Sequence, residues 1–466
     1  LLSAGGAALL GLTATMHAAF AFGDNTAVII GPSGVPIPSS DYVTEVDALY
    51  IDPAQPFPGQ PTYPGVSPLP LFTPEGLYPV TGVKSLPYDA SEAQGVVILN
   101  DEINQLCPDP PACGGDATVV FGYSQSAVIS SIEMDGLAAL PPDARPGTDE
   151  LAFVLVGNES NPNGGLLERF VGLSLPSLGL TFTGATPDDV YPTTIYTLEY
   201  DGFADFPRYP IDLLADLNAV AGIVFVHTQY AKLSPEQLAA AIPLQSTAGP
   251  TMHYFIIPED NLPLLDPLRA VPFVGQPLAD LIQPDLKVIV NLGYGPDDLG
   301  YSNTPANLPT PFGLFPTGVN PDTVLSDLAN GIPQGVGAFL HDIGTEQLPS
   351  LPSLAGLAGA LSSLSSPSSP ADLLPSLTDV VNTLTNVAAA SYATLLPTAD
   401  IATAIATTLP LYDTTLFVEN LPNLVDAVGY PIAADAGLLS LAGGIEFLVL
   451  AGAAQSVVSD LAGLVP

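Results

Sequence analysis

Several short runs of this chain are almost wholly apolar along their whole length rather than on every second residue. They are 26–34 (TAVIIGPSG), 117–122 (ATVVFG), 150–158 (ELAFVLVGN) and 193–202 (TTIYTLEYDG). A strand that is apolar on both faces must be covered on both faces, and that happens in a parallel sheet flanked by helices. Helix-compatible stretches lie between them. SEAQGVVILNDEINQL at 91–106 offers Ser91 as an N-cap, and SQSAVISSIEMDGLAAL at 124–140 stops at Pro141-Pro142. The alternation predicts an α/β core from about Asp24 to Asn291, a mostly parallel sheet with helices on both faces.

At 466 residues there is room for two or three domain-sized units. The 51 Pro and 43 Gly argue against a coiled coil or plain bundle. Seven basic residues against 47 acidic ones give a net charge of −40, which leaves no cationic footprint for nucleic-acid phosphates. The chain opens on 1–22, nearly uncharged, apolar and ending in Ala19-Phe20-Ala21. It reads as a secretory signal or anchor, and so predicts export to the cell envelope, the cell surface or the medium. In an exported protein Cys107 and Cys113, in CPDPPAC, are expected to pair as a disulfide; with no nearby histidine and no second cysteine pair, zinc is not expected. The hydrolase-type unit is placed at 24–345, with an insertion at 158–192 and one further strand at LKVIVNLGYG (286–295). From 346 to 466 the composition turns to Leu, Ser, Ala and Pro. A low-complexity linker followed by apolar helices is expected there, packing onto the core rather than spanning a membrane.

The chemistry is carried by Gly122-Tyr123-Ser124-Gln125-Ser126, between an apolar strand and a helix. A serine hydroxyl attacks only when a base takes its proton. Hydrolases of the α/β type expose such a serine on a sharp strand-to-helix turn, with small residues two before and two after. Gly122 and Ser126 meet that need. Gln125 would open the helix, where its N–H can donate to an oxyanion. The acid and base should follow in the order Asp, His. Of four histidines, His227 sits where an apolar run ends, whereas His17 precedes the serine, His253 lies in a strand pattern and His341 in a helical one. In DGFADFP both Asp201 and Asp205 follow a strand; Asp205 is favoured, with Asp201 the alternative. A second oxyanion donor is sought in the loop IIGPSGVP, at Ser33 or Gly34. No dinucleotide or Walker motif occurs, so no cofactor is expected.

VVFGYSQSAVISS, YDGFADFPRYPIDLLADLNAVAGIVFVHTQY, IPEDNLPLLDPLR and NTPANLPTPFGLFP together resemble the mycobacterial PE-PPE domain, a cutinase-like serine α/β hydrolase, across 26–342. The resemblance implies esterase or lipase activity on acyl esters, or acyl transfer among trehalose glycolipids of the cell envelope. It further implies Ser124 as nucleophile, an Asp of the DGFAD stretch as acid and His227 as base. Where the family commonly reads Gly-Gly-Thr-Gly after the first strand, this chain reads GPSG. The competing expectation is a non-catalytic envelope structural or binding protein on a degenerate hydrolase fold, motivated by the charge and the low-complexity tail.

Overall fold

A computed structural model describes residues 25–345, apart from 83, 177 and 178, together with 385 and 395–462. The signal-like segment 1–22 and the low-complexity linker lie outside the described residues, as does most of the apolar stretch that follows the linker.

In chain order the elements are β1 (Thr26–Ile29), α1 (Ser40–Val46), β2 (Ser67–Pro70), α2 (Tyr88–Leu106), β3 (Thr118–Tyr123), α3 (Gln125–Ala138), β4 (Leu151–Val156), α4 (Leu166–Arg169), β5 (Ser174–Leu175), β6 (Leu180–Thr181) and β7 (Thr193–Leu198). There follow α5 (Leu213–Phe225), α6 (Pro235–Ala239), β8 (Ile242–Pro243), β9 (Met252–Ile257), α7 (Asp266–Arg269), α8 (Gly275–Leu292), α9 (Pro321–Thr345), α10 (Leu395–Ala406), α11 (Thr408–Glu419) and α12 (Leu424–Ala462). Seven strands form one sheet in the order β2-β1-β3-β4-β7-β9-β8, parallel except for β8. The fold is α/β, as the apolar runs require.

Successive side chains of a strand point to opposite faces, and β3 shows why its run is apolar throughout. Val119, Phe121 and Tyr123 join one buried cluster with Ile29, Val156 and Tyr196. Val120 joins the other, with Val28, Leu155 and residues of α2 and α3 such as Leu99, Ile103 and Ile129. Because the strands are parallel, the chain leaves β1, β3, β4 and β7 at one edge of the sheet. The strand order reverses between β1 and β3, and a crevice at such a point is where open α/β sheets bind ligands.

Two local expectations are corrected. The run 286–292 is not a strand but the end of the 18-residue helix α8. Its apolar residues continue a helical spacing, with Ala279, Leu286 and Val290 packed around Tyr200 and Tyr294, while Leu278, Ile282 and Ile289 face outward. Helix α9 lies antiparallel against it, Gly331 meeting Asp285 and Gly335 meeting Leu281. Ser91 is not an N-cap, since α2 begins a turn earlier, after Pro87. Its hydroxyl is buried in the tertiary interior instead.

Cys107 and Cys113 are joined as a disulfide. The stretch 158–192 holds the short helix α4 and the hairpin β5–β6. The C-terminal helices pack on the core: Gly437 of α12 lies against Phe312 and Pro210, and Gly444 against Val220 of α5. The segment Leu424–Phe447 is long and apolar enough to cross a membrane by length and composition.

Candidate active site

The β3–α3 turn is built for close approach. A Cβ on Gly122 would stand 2.7 Å from the Ser126 carbonyl oxygen and 2.8 Å from Ala127 Cα, so only glycine lets the helix fold back on its strand. Ser124 has φ 58° and ψ −124°, a conformation that L-residues rarely hold and that clusters at functional sites. Ser126 laces the turn, accepting from the Tyr123 N–H at 2.7 Å and donating to the Tyr123 carbonyl at 3.0 Å. Gln125 opens α3, so its N–H is one of the four with no acceptor inside the helix. Its side chain braces the neighbouring loop. Its Nε2 donates to the Gly76 carbonyl, and its Oε1 accepts from Ser91, which in turn accepts from the Gly76 N–H.

His227 follows α5 directly and opens a 3-10 turn. Its Nε2 lies 2.9 Å from Ser124 Oγ, and its Nδ1 lies 2.9 and 2.8 Å from the two carboxylate oxygens of Asp201. Ser124, Asp201 and His227 are all buried. Asp201 is further held by the Tyr230 hydroxyl at 2.7 Å and the Phe203 N–H at 3.0 Å. The Tyr123 hydroxyl donates to the His227 carbonyl, and the Phe203 ring stands edge-on to the imidazole at 4.8 Å. Burial pushes the His227 pKa down, but the charge and hydrogen bond of Asp201 outweigh it, so the pKa is raised from 6.5.

Asp205, the favoured choice of acid, does not reach the histidine, whereas the alternative Asp201 does. Its N–H donates to the Asp201 carbonyl at 2.6 Å, closing a helical turn, and its carboxyl folds back to accept from the Tyr200 N–H at 3.1 Å. Burial raises its pKa well above the ordinary carboxyl range, against the Tyr200 N–H and Arg169, which lower it. Residues of the 158–192 stretch stitch this acid loop in place. Asn161 donates to the Ala204 carbonyl, the Leu166 N–H to the Phe203 carbonyl, and buried Arg169 to the Phe206 carbonyl.

The GPSG loop fits its expected role only in part. The Gly34 N–H is taken up by the Glu75 carbonyl at 2.8 Å, so that residue offers no free donor. The Ser33 hydroxyl oxygen is buried and has no hydrogen-bond partner among the described residues. His253 is half-buried in β9, where burial lowers its pKa, and His341 is exposed on α9. Neither is part of the constellation.

One residue at the centre went unremarked in the sequence. Ser124 Oγ lies 3.1 Å from Oε1 of Glu159, whose Oε2 accepts from the Tyr88 hydroxyl. Glu159 ends up there because β4 pairs with β3, Tyr123 opposite Val156, so the loop after one strand meets the turn after the other. The available signal was a carboxyl just beyond an apolar strand, the same cue that marks Asp201.

The PE-PPE domain matches this chain over residues 64–295. PPE28, an uncharacterized PPE family protein of Mycobacterium tuberculosis strain H37Rv, is 48% identical over 455 residues, 94% of this chain and 67% of its own length. Esterase PE16 of the same organism is 46% identical over 322 residues, covering 69% of this chain and 57% of its own. Diacyltrehalose acyltransferase Chp2, again of that organism, is 28% identical over 198 residues, 40% of this chain and 53% of its own. The chain therefore spans about two thirds or less of the length of these relatives. On the domain match and the extended identity to PPE28, the chain belongs to the PE-PPE domain family.

Proposed function

We propose that this chain is a serine-dependent ester hydrolase or acyltransferase acting on acyl esters of lipids, with Ser124 as nucleophile, His227 as base and Asp201 as the group that orients the base. The observation that carries this is the continuous line from Asp201 through both imidazole nitrogens to Ser124 Oγ, every link at 2.8–2.9 Å. Asp201 on Nδ1 fixes the tautomer that leaves Nε2 free to accept the serine proton. Oγ then attacks the acyl carbonyl. The Gln125 N–H, aided by Ser33, receives the developing oxyanion. His227 returns the proton to the leaving alkoxide, and the acyl group rests on Ser124 until water or an acceptor hydroxyl gives its own proton to Nε2 and attacks.

An acyl chain calls for an apolar wall. Phe203, against His227, belongs to a cluster with Val128, Leu166, Phe170 and the α12 residues Leu438 and Leu441. Burial of Ser124 and His227 keeps water scarce at the acyl-enzyme, which favours a bound hydroxyl acceptor over hydrolysis. The named activities of PE16 and Chp2 point to the same two outcomes, and a trehalose glycolipid is the acceptor class to try first.

Turnover of a p-nitrophenyl acyl ester, with labelling by a fluorophosphonate probe, tests the nucleophile. Ser124→Ala is expected to abolish both while leaving the circular dichroism spectrum intact; turnover at the wild-type rate would refute the reading. Incubation with an acyl-trehalose, followed by mass spectrometry for diacylated product, separates transfer from hydrolysis.

A further inference from the structure

The nucleophile has a second neighbour that the Ser–His–Asp line leaves unused. Ser124 owns one hydroxyl proton and sits between two groups, His227 Nε2 at 2.9 Å and Glu159 Oε1 at 3.1 Å. With the proton on Nδ1 facing Asp201, Nε2 is a bare acceptor, and the serine proton belongs there. An ionised Glu159 would then set lone pairs against lone pairs across 3.1 Å. A neutral Glu159 resolves the conflict. The Tyr88 hydroxyl donates to Oε2, so that oxygen is the acceptor, and a neutral Glu159 would carry its proton on Oε1, facing Ser124.

The surroundings favour that neutral form. Glu159 is buried, and Glu75 and Glu92, both buried, face it from the loop after β2 and from α2. Tyr88, Ser124, His227 and Asp201 are further titratable and polar groups beside it. Burial raises its pKa above 4.5, and the Tyr88 hydrogen bond that pulls the other way does not cancel it.

We propose that Glu159 is a further catalytic residue, a neutral carboxylic acid that donates a hydrogen bond to Ser124 Oγ and so stabilises the alkoxide character this oxygen acquires. The proposal rests on Ser124 being the nucleophile. During attack the serine proton passes to His227 Nε2 as the Oγ–carbon bond forms, and Glu159 keeps its own proton throughout. When the acyl group leaves, the Oγ–carbon bond breaks, Oγ again carries developing negative charge against the Glu159 donor, and His227 returns the proton. Ionised Glu159 would capture the serine proton instead, and activity falls as pH rises through the Glu159 pKa.

The test compares Glu159→Gln, Glu159→Ala and Tyr88→Phe by kcat and its pH profile on a p-nitrophenyl acyl ester, with Ser124→Ala as the reference. Glutamine still offers a donor to Ser124 and an acceptor to Tyr88. It is expected to lower kcat about tenfold and to erase the alkaline fall, whereas alanine lowers kcat about 10^2- to 10^3-fold, the scale for losing one preorganised donor. Tyr88→Phe removes a hydrogen bond that favours the ionised acid, so the alkaline fall is expected to move to higher pH. Glu159→Gln as slow as Glu159→Ala, or Glu159→Ala within threefold of wild type, would overturn the proposal. Should the alanine variant not fold, an alkaline fall unchanged in both Glu159→Gln and Tyr88→Phe would overturn it equally. Turnover surviving in Ser124→Ala would instead remove the underlying nucleophile assignment, a distinct outcome.

Discussion

Tyr230 donates its hydroxyl proton to Asp201 Oδ2 at 2.7 Å while accepting the Leu198 N–H at 2.8 Å. One phenol thus ties the carboxylate beside His227 to the end of strand β7. The Tyr230 carbonyl accepts in turn from Tyr50 at 2.8 Å, so the support continues into the buried cluster on the same face of the sheet. Tyr230→Phe would leave the buried Leu198 N–H unpaired and Asp201 one donor short. A loss of about 1–3 kcal/mol of stability is expected, the cost of orphaning a buried polar group. Chemical denaturation measures it, with kcat expected to fall in parallel.

The two aspartates of DGFAD separate by a paired substitution. Asp201→Asn removes the charge behind His227 and is expected to cut kcat by about 10^3- to 10^4-fold. His227 accepts a proton only when neutral, so activity falls as pH drops through its raised pKa, and Asp201→Asn should move that acid limb to lower pH. Asp205 is buried, accepts one N–H and has its pKa raised by burial, a role asparagine can fill. Asp205→Asn is expected to keep kcat within about threefold and the acid limb in place, since no partner of His227 changes. Steady-state pH profiles of the two variants decide between the two acids.

The interior holds an unusual number of acids. Glu75 and Asp216 are pushed by burial up to about 8, and Glu133 and Glu168 up to about 7. A carboxyl with a folded pKa above its unfolded one takes up a proton on folding, so stability falls as pH rises from the unfolded value through the folded one. The His227 shift has the same sign. Thermal unfolding is expected to show a melting temperature lower by on the order of 5 °C or more at about pH 8 than at about pH 5. A rise across that window would contradict the burial of these groups as acids.

How much of this the chain announces differs from residue to residue. The elbow is legible because Gly122 and Ser126 are small where a strand must double back into a helix, and strand and helix are both evident beside them. His227 stands out because so few histidines exist. The choice between Asp201 and Asp205 is not legible, because both follow the same strand. What separates them in space is a helical turn, in which the Asp205 N–H bonds to the Asp201 carbonyl and the Asp205 carboxyl folds back to the Tyr200 N–H, away from His227. The run 286–292 fits a strand and a helix equally until its neighbours from Gly275 onward are seen to continue one helix. Glu159 shows in the sequence only as a carboxyl just beyond an apolar strand; that it reaches Ser124 follows from β4 lying beside β3, a pairing that no local pattern encodes.

Gly157 directly follows β4 with φ 55°, and a Cβ there would stand 2.8 Å from Tyr230, 3.1 Å from His227 Cε1 and 3.2 Å from Tyr123. The imidazole therefore lies in contact with bare backbone, and that contact is the floor of the site. Gly157→Ala combines an unfavourable backbone conformation with a clash against the rings that position the base. The backbone strain alone costs about 1–3 kcal/mol. Displacing the imidazole by even a few tenths of an ångström weakens its 2.9 Å contact with Ser124, so kcat should fall by at least about tenfold, the sensitivity expected of a misplaced catalytic group. Fluorophosphonate labelling rates measured on folded Gly157→Ala protein report this displacement directly, because the probe reads Ser124 activation rather than substrate binding. Labelling at the wild-type rate would show that the imidazole does not depend on that glycine.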